Sequence, residues 1–372
     1  MRRFVCFLLV LQITMGQIQN VYDMQRCGIS QINDAAQNSL GKRVRRSSAD
    51  AQSNNQPING DASNKDLDEN AISDQDDNDF MQEKVMGGKR AARGELPWAV
   101  YILTSEELCG GTLISRRHVV TAAHCFSASK WKMGRCNTSD MYPMEAVINS
   151  TKVFVGGSCL FPNIAGCNTS DIGKMYKVAR ASYEQYFAFN CKGTHDIALL
   201  ELTEDVPKTI NHVCLPFLHQ LEEIEDPYLK LRSFGWGLDP LKYTNIPSPY
   251  LQIAELGVKS SKEECNRMKN WKSNDTFCTK SGPQYICRGD SGGGVTATIR
   301  KRTYLIGIIS FGPNCIRVAK GKNISHPQVS TDIMYYKEVI KNNSYIKRMG
   351  HTPSNVYVLH IQRSCVQLRQ SL

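Results

Sequence analysis

The chain has 372 residues, with 45 Lys and Arg against 35 Asp and Glu, and 14 Cys. This length permits one large domain or two smaller ones, and so many cysteines argue against a reducing compartment. Past the N-terminus no window has the roughly 18 uncharged apolar residues that a membrane span needs, so none is expected. The first predicted element is a leader. Arg2 and Arg3 precede the apolar run Phe4 to Leu11, and Thr14 and Gly16 supply small residues before a cleavage point, the layout of a secretory signal peptide over residues 1–16.

Residues 17–84 follow with 7 Lys and Arg against 12 Asp and Glu, a net charge of −5. They are poor in aromatics and rich in Asn, Asp, Gln and Ser. Such a stretch buries too little apolar surface to offset its chain entropy, so a largely disordered propeptide is expected. Arg43-Val44-Arg45-Arg46 resembles a proprotein-convertase site, and an uncleaved basic patch fits equally well. The leader contributes +2, which leaves +13 for residues 85–372 of the total +10. No dense Lys/Arg stripe with interleaved aromatics occurs there, so the charge reads as solvated surface and no nucleic-acid partner is expected.

From Val85 the texture changes to short apolar runs between Gly, Pro, Asn and Ser breakers. Trp98 to Leu103, Leu199 to Leu202 and Tyr304 to Phe311 have strand length and β-branched or aromatic character, which favours an all-β sandwich or barrel. Ile333, Tyr336, Val339 and Ile340 recur at helical spacing and predict a helix over 333–347. Residues 349–372 form a C-terminal tail. Asn137, Asn149, Asn168, Asn274, Asn323 and Asn342 each begin an Asn-X-Ser/Thr acceptor pattern, which in a secreted chain implies exposed, glycosylated loops. Cys136-Asn-Thr-Ser-Asp140 recurs as Cys167-Asn-Thr-Ser-Asp171, and the segment from Phe126 to about Tyr176 reads as an elaborated surface loop forming a rim near a cleft.

Three motifs occur in fixed order: Thr121-Ala-Ala-His-Cys125, Asp196-Ile-Ala-Leu-Leu200 and Gly289-Asp-Ser-Gly-Gly293. A serine hydroxyl is a weak nucleophile at neutral pH. It needs a base within reach, and that base needs a partner to hold its tautomer. In these motifs and their order the chain resembles the chymotrypsin-like serine proteases over residues 84 to about 348. The resemblance implies two packed six-stranded antiparallel β-barrels with a C-terminal helix, a peptidase domain at 85–348, and a triad of His124, Asp196 and Ser291. It implies an oxyanion hole from the N–H groups of Gly289 and Ser291, and Ser310 behind Asp196. Lys84-Val-Met-Gly-Gly88 with Leu96-Pro-Trp98 resembles the family's activation junction. Cleavage after Lys84 would then free the amino group of Val85 to pair with Asp290. The usual first pair is Ile-Val, so Val-Met is a mild departure.

The same resemblance implies the disulfides Cys109–Cys125, Cys265–Cys278, Cys287–Cys315 and Cys27–Cys214, the last tethering the propeptide. Cys136, Cys159, Cys167 and Cys191 leave three connectivities open, and Cys365 is left over. Counting six residues back from Ser291 puts Tyr285 at the base of the specificity pocket, with Gly312 as an open wall and Gln328 narrowing the back. With no carboxylate there, small or neutral apolar residues are expected before the scissile bond, and cleavage after Lys84 falls to a separate trypsin-like activator. Expected partners are protein or peptide substrates, that activator and protease inhibitors. No spacing suggests a zinc or calcium site and no cofactor is expected. Gly294 and Phe311 replace the family's usual Pro and Trp. Together with the long loops they keep a second reading open, a protease-like binding protein that is catalytically weak or silent.

Overall fold

A computed structural model describes residues 22–32, 86–105, 107–127, 143–182, 194–219, 221–241, 246–269, 272–279, 284–321 and 327–345. The predicted leader, Lys84, Val85, Arg43 to Arg46, Cys136, Cys191, Cys365, Asn137, Asn323 and the C-terminal tail lie outside the described residues. Residues 1–335 form one compact unit and residues 336–372 a second.

The described residues of the first unit contain thirteen strands. Ala99–Leu103 (β2), Leu108–Leu113 (β3), His118–Thr121 (β4), Lys152–Val155 (β5), Lys174–Ser182 (β6) and Ala198–Leu202 (β7) close a barrel in the order β2-β3-β4-β7-β6-β5. All its pairings are antiparallel. The alternation in β7, where Ala198, Leu200 and Leu202 are buried and the residues between them half-buried, is the period-2 pattern of a strand with one face on a core. Val100, Ile102, Leu113, Val119, Val153 and Leu200 are buried and share, by strand register, the inward face.

The second sheet runs Lys89–Arg90 (β1), Gln252–Gly257 (β9), Leu231–Gly235 (β8), Gly294–Ile299 (β11), Arg302–Phe311 (β12), Gln328–Asp332 (β13) and Thr276–Thr279 (β10). Its last six strands curl until an isolated bridge between Lys259, just past β9, and Thr279, at the end of β10, brings the two ends together. This is the second barrel of the expected architecture. It closes by one bridge where the first closes by full ladders, and the two-residue β1 is a seventh strand added to β9.

The helices are few: Met144–Ser150 (α1), Lys262–Lys269 (α2) and Cys315–Ala319 (α3) in the first unit, and Lys337–Tyr345 (α4) in the second. The helix expected to begin at 333 starts later. Ile333 still donates its N–H to Ile306 as the strand ends, and Asp332 Oδ1 accepts the Met334 N–H at 2.9 Å, closing a turn that competes with helix. Among the described residues no helix is long and apolar enough to cross a membrane.

Five disulfides are described: Cys27–Cys214, Cys109–Cys125, Cys159–Cys167, Cys265–Cys278 and Cys287–Cys315. Cys159–Cys167 staples a short loop between β5 and β6. The expected rim beside a cleft is, in this half, a clasp. Leu160 donates to Pro249 O and Leu251 to Ser158 O, the Tyr250 hydroxyl reaches Ala165 O at 2.6 Å, and the Arg90 guanidinium lies 3.8 Å from the Tyr250 ring centroid. The loop therefore binds the barrel to the β1–β9 edge of the second sheet. Asn149, Asn168 and Asn274 are exposed, as glycan acceptors must be.

Residues 22–32, within the segment expected to be largely disordered, have a built seat. Gly28 exchanges backbone bonds with His212 and Thr303, and the Arg302 guanidinium donates to the carbonyls of Met24, Gln25 and Cys27. The Tyr22 hydroxyl accepts from Leu215 N at 2.8 Å. Burial pushes His212 down to about 4, so its Nε2 stays an acceptor for the Asp23 N–H.

Candidate active site

The three motifs of the sequence meet where the barrel faces the second sheet. Thr121 ends β4, and His124 follows in a short 3-10 turn of residues 123–126. Asp196 lies just before β7. His124 Nδ1 is 2.7 Å from Asp196 Oδ2, and the His124 backbone N–H donates to Asp196 Oδ1 at 2.9 Å. Both carboxylate oxygens are thus engaged by the same residue, which fixes the ring as well as its tautomer. The Ser310 hydroxyl, on β12, donates to Asp196 Oδ2 at 2.5 Å, and the Thr331 hydroxyl, on β13, donates to the Asp196 carbonyl at 2.9 Å. Asp196 is 1% exposed, so these bonds stand in for water. Burial acts against the charged His124 ring, but Asp196, by charge and by hydrogen bond, and Glu107 by charge outweigh it, and the His124 pKa is raised.

Ser291 lies in the turn between Cys287 and β11. Its carbonyl accepts from Gly110 N–H at 2.7 Å, and Gly110 follows Cys109, whose disulfide partner Cys125 follows His124. One hydrogen bond and one disulfide therefore link the Ser291 main chain to the His124 turn. Gly289 sits at φ 98°, a conformation that a residue with a β-carbon rarely adopts. Among the described residues, the N–H groups of Gly289 and Ser291 carry no hydrogen bond.

Asp290 turns away from Ser291 into the protein and is 1% exposed. Its carboxylate accepts from Gly237 N–H at 2.7 Å and Cys287 N–H at 2.9 Å. A β-carbon on residue 237 would lie 2.3 Å from the carboxylate, so only glycine allows this approach. Burial is the main cause that pushes Asp290 up to about 7; the two N–H donors pull it down, and the nearby Asp239 pushes it further up. Met86 clusters with Cys287, one of the donors of Asp290, and with Cys315; Leu238 packs against this cluster, and the Met86 carbonyl accepts from Tyr285 N–H at 2.9 Å.

Around the expected specificity pocket, Tyr285 is half-buried and packs against the Met86, Cys287 and Cys315 cluster. Gln328 is 1% exposed, and its side chain clamps the opposite segment: Oε1 accepts from Ile286 N–H at 2.7 Å and Nε2 donates to Gln284 O at 3.3 Å. A β-carbon on Gly312 would lie 3.1 Å from Ile286 Cγ1, so the isoleucine side chain fills the space across from that glycine. Sequence reasoning missed Ile286, although the count back from Ser291 that reached Tyr285 passes through it. Phe311 packs against Cys265, Cys278 and Val329, a local role for the departure from tryptophan. Arg288 is exposed and reaches Glu107 Oε1 at 3.4 Å.

Among the described residues two groups of His and Cys lie close enough together to suggest a metal, Cys27–Cys214–His219 and Cys109–His124–Cys125. In each the two sulfurs are joined as a disulfide, which leaves one imidazole as the only ordinary donor.

A family model described as Trypsin matches residues 85–159 and 163–340. The chain is 32% identical over 291 residues to "Trypsin-like protease try-5" of Caenorhabditis elegans, covering 71% of this chain and 87% of that protein. It is 27% identical to "CLIP domain-containing serine protease B14" of Anopheles gambiae, covering 68% of this chain and 70% of that one. It is likewise 27% identical to "Serine protease 41" of Homo sapiens, covering 74% and 81%.

Proposed function

Because the chain belongs to the trypsin family of serine proteases, we propose that it is a secreted endopeptidase, made as a zymogen and switched on by cleavage after Lys84. The observation that carries this reading is the doubly bonded pair of His124 and Asp196, with the Ser291 main chain tied to the same turn through Gly110 and the Cys109–Cys125 bridge. In the proposed reaction the Ser291 hydroxyl attacks the scissile carbonyl carbon while His124 Nε2 takes its proton. Asp196 steadies the imidazolium that forms. The N–H groups of Gly289 and Ser291 receive the developing oxyanion, and loss of one such donor typically costs about 2.7–4 kcal/mol of transition-state stabilisation. His124 then gives its proton to the leaving amine, and water hydrolyses the acyl-enzyme by the same steps in reverse order.

Activation rests on Asp290. Among the described residues its buried carboxylate is held by two backbone N–H groups and by no cation, and burial penalises the charge. Met86 clusters with Cys287, one of its two donors, so cutting the bond before Val85 would create an ammonium one residue from that cluster. The Cys27–Cys214 bridge and the seat of residues 22–32 would keep the prosegment attached after the cut. Five disulfides fit an oxidising, extracellular setting.

The substrate class follows from the pocket. Among the described residues the Gln328 clamp, Ile286 facing Gly312 and the Tyr285 ring present no carboxylate to a lysine or arginine and narrow the slot. Small or neutral apolar residues before the scissile bond are therefore the proposed preference, and a separate trypsin-like protease the proposed activator. A fluorophosphonate probe tests the reading: the Lys84-cleaved protein should be labelled and the Ser291→Ala variant should not. Absence of labelling on folded, cleaved protein would favour the alternative, a silent protease-like binding module, for which Gly294 and the long loops are the sequence argument.

A further inference from the structure

The backbone that carries Asp196 is wound into an unfavourable shape. His195 sits at φ 59°, in the left-handed region that disfavours any residue with a β-carbon. Asp196 is the middle residue of a three-residue turn, closed by Ile197 N–H donating to His195 O at 2.8 Å. Something must hold this turn wound, because the pairing of Asp196 with His124 depends on where the turn aims the carboxylate. The hold comes from the second sheet. Asp275, 80 residues away in sequence and 2% exposed, accepts the His195 N–H on Oδ2 at 2.6 Å. Asp275 is itself pinned, its carbonyl accepting from Asp332 N–H at 2.8 Å. The preceding residue, Thr331, is the one whose hydroxyl holds the Asp196 carbonyl. Residues 331–332, Asp275 and 195–196 thus form a closed set of bonds.

The charged surroundings of Asp275 fit that role. Lys269, at the end of α2, is 3% exposed, and its Nζ donates to Ser273 Oγ at 2.5 Å and Thr276 Oγ1 at 2.6 Å, two residues before Asp275 and one after it. The Lys269 ammonium and the His195 imidazole both lie within electrostatic reach of the Asp275 carboxylate, and Lys262 lies within reach of Lys269.

We propose that Asp275 is a positioning residue for the catalytic centre: by pinning the His195 N–H it keeps the turn before Asp196 wound and aims the Asp196 carboxylate at His124. This rests on the triad reading given above. The groups facing His124 in that arrangement are Asp196 and, more weakly, Glu107.

The test has two readouts, one of which needs no turnover. In a Ser291→Ala background, the His124 ring is titrated by NMR. Asp275→Ala should lower its pKa by about one unit, since an opposing carboxylate shifts a neighbour by roughly that much or more and would now be misaimed. In the active, cleaved enzyme the same substitution should lower kcat roughly 10- to 100-fold with KM within about twofold. Adding His195→Gly should recover most of both losses, because glycine holds φ 59° without the pin. Asp275→Asn keeps an accepting oxygen and should hold the His124 titration near the parent value. A folded Asp275→Ala protein with unchanged titration overturns the proposal. Should that variant not fold, a folded Asp275→Asn protein with a lowered His124 pKa overturns it instead. Absence of turnover in the cleaved parent enzyme would sink the peptidase reading alone, and the titration would still decide the role of Asp275.

Discussion

Asp196 and Asp290 are both buried aspartates in the same site, and their surroundings answer the charge very differently. Asp196 accepts two bonds from His124 and one from Ser310, and one of those donors is an imidazole able to take a positive charge. Asp290 accepts from two neutral backbone N–H groups and feels Asp239 as a like charge. Among the described residues no cation pairs with it. The first arrangement is complete in the single chain and the second lacks a counter-ion. We read this as a division of labour, in which the groups that move protons are assembled in advance and the switch is left open at one buried charge.

The largest expected effect breaks the complete half. Asp196→Asn keeps the shape but removes the acceptor that fixes the His124 tautomer, and kcat of the cleaved enzyme should fall about 10,000-fold, as is typical for such triads in this family. Steady-state kinetics on a short peptide would reveal a smaller role for Asp196 if the loss were only a few-fold.

A second prediction sharpens the comparison through pH. Asp290 in the uncut chain holds its proton up to about 7, well above the ordinary carboxyl value. The raised value means that the folded state binds this proton more tightly than the unfolded chain does. The uncut protein should therefore lose stability as pH rises from about 4 to about 7, by an amount on the order of a few kcal/mol. Cleavage after Lys84 supplies an ammonium and should cancel most of that loss. Thermal melts of the cut and uncut forms should then nearly coincide at pH 4 and diverge by pH 7. The gap should close again on the alkaline side as the new amino group loses its proton. Parallel melting curves across that range would contradict the assignment of Asp290 as the open position.

The smallest effect concerns the pocket. Gln328→Ala removes the clamp and leaves the Ile286 N–H without its partner, costing about 1–3 kcal/mol of stability. It should also open the slot, shifting preference toward larger apolar residues before the scissile bond. Peptide-library profiling that shows the same preference in both proteins would place the specificity elsewhere.

What could be read in advance divides along similar lines. The residues with compact local motifs, His124 within Thr121 to Cys125 and Ser291 within Gly289 to Gly293, announce themselves because several constraints fall on adjacent positions. Strands such as β2 and β12 are legible from β-branched and aromatic runs bounded by breakers. The supports are not legible. Asp275 and His195 are 80 residues apart, and neither sits in a pattern; only the pairing of β10 with β13 brings them together. Gln328 reads as a bulky back wall, but that its amide would bind Ile286 and Gln284 depends on the register of β13 and the path of the facing loop. The start of α4 was misjudged because the apolar spacing of Ile333 and Tyr336 says nothing about the Asp332 side chain, which ends the strand in a turn. The seat for residues 22–32 was equally hidden: their polar composition suggests disorder, while their order comes from carbonyls met by Arg302 and from a disulfide.

The central claim is that the His124–Asp196 pair is assembled before cleavage and that activity waits on the charge that answers Asp290 and orders the oxyanion donors. A Lys84→Gln protein, verified as uncut by mass spectrometry, compared with the parent cut after Lys84 on the same peptide, tests it most directly. The account predicts that the cut form hydrolyses the peptide at least about 100-fold faster, the scale of a disordered oxyanion donor. Equal rates from the two forms would contradict it.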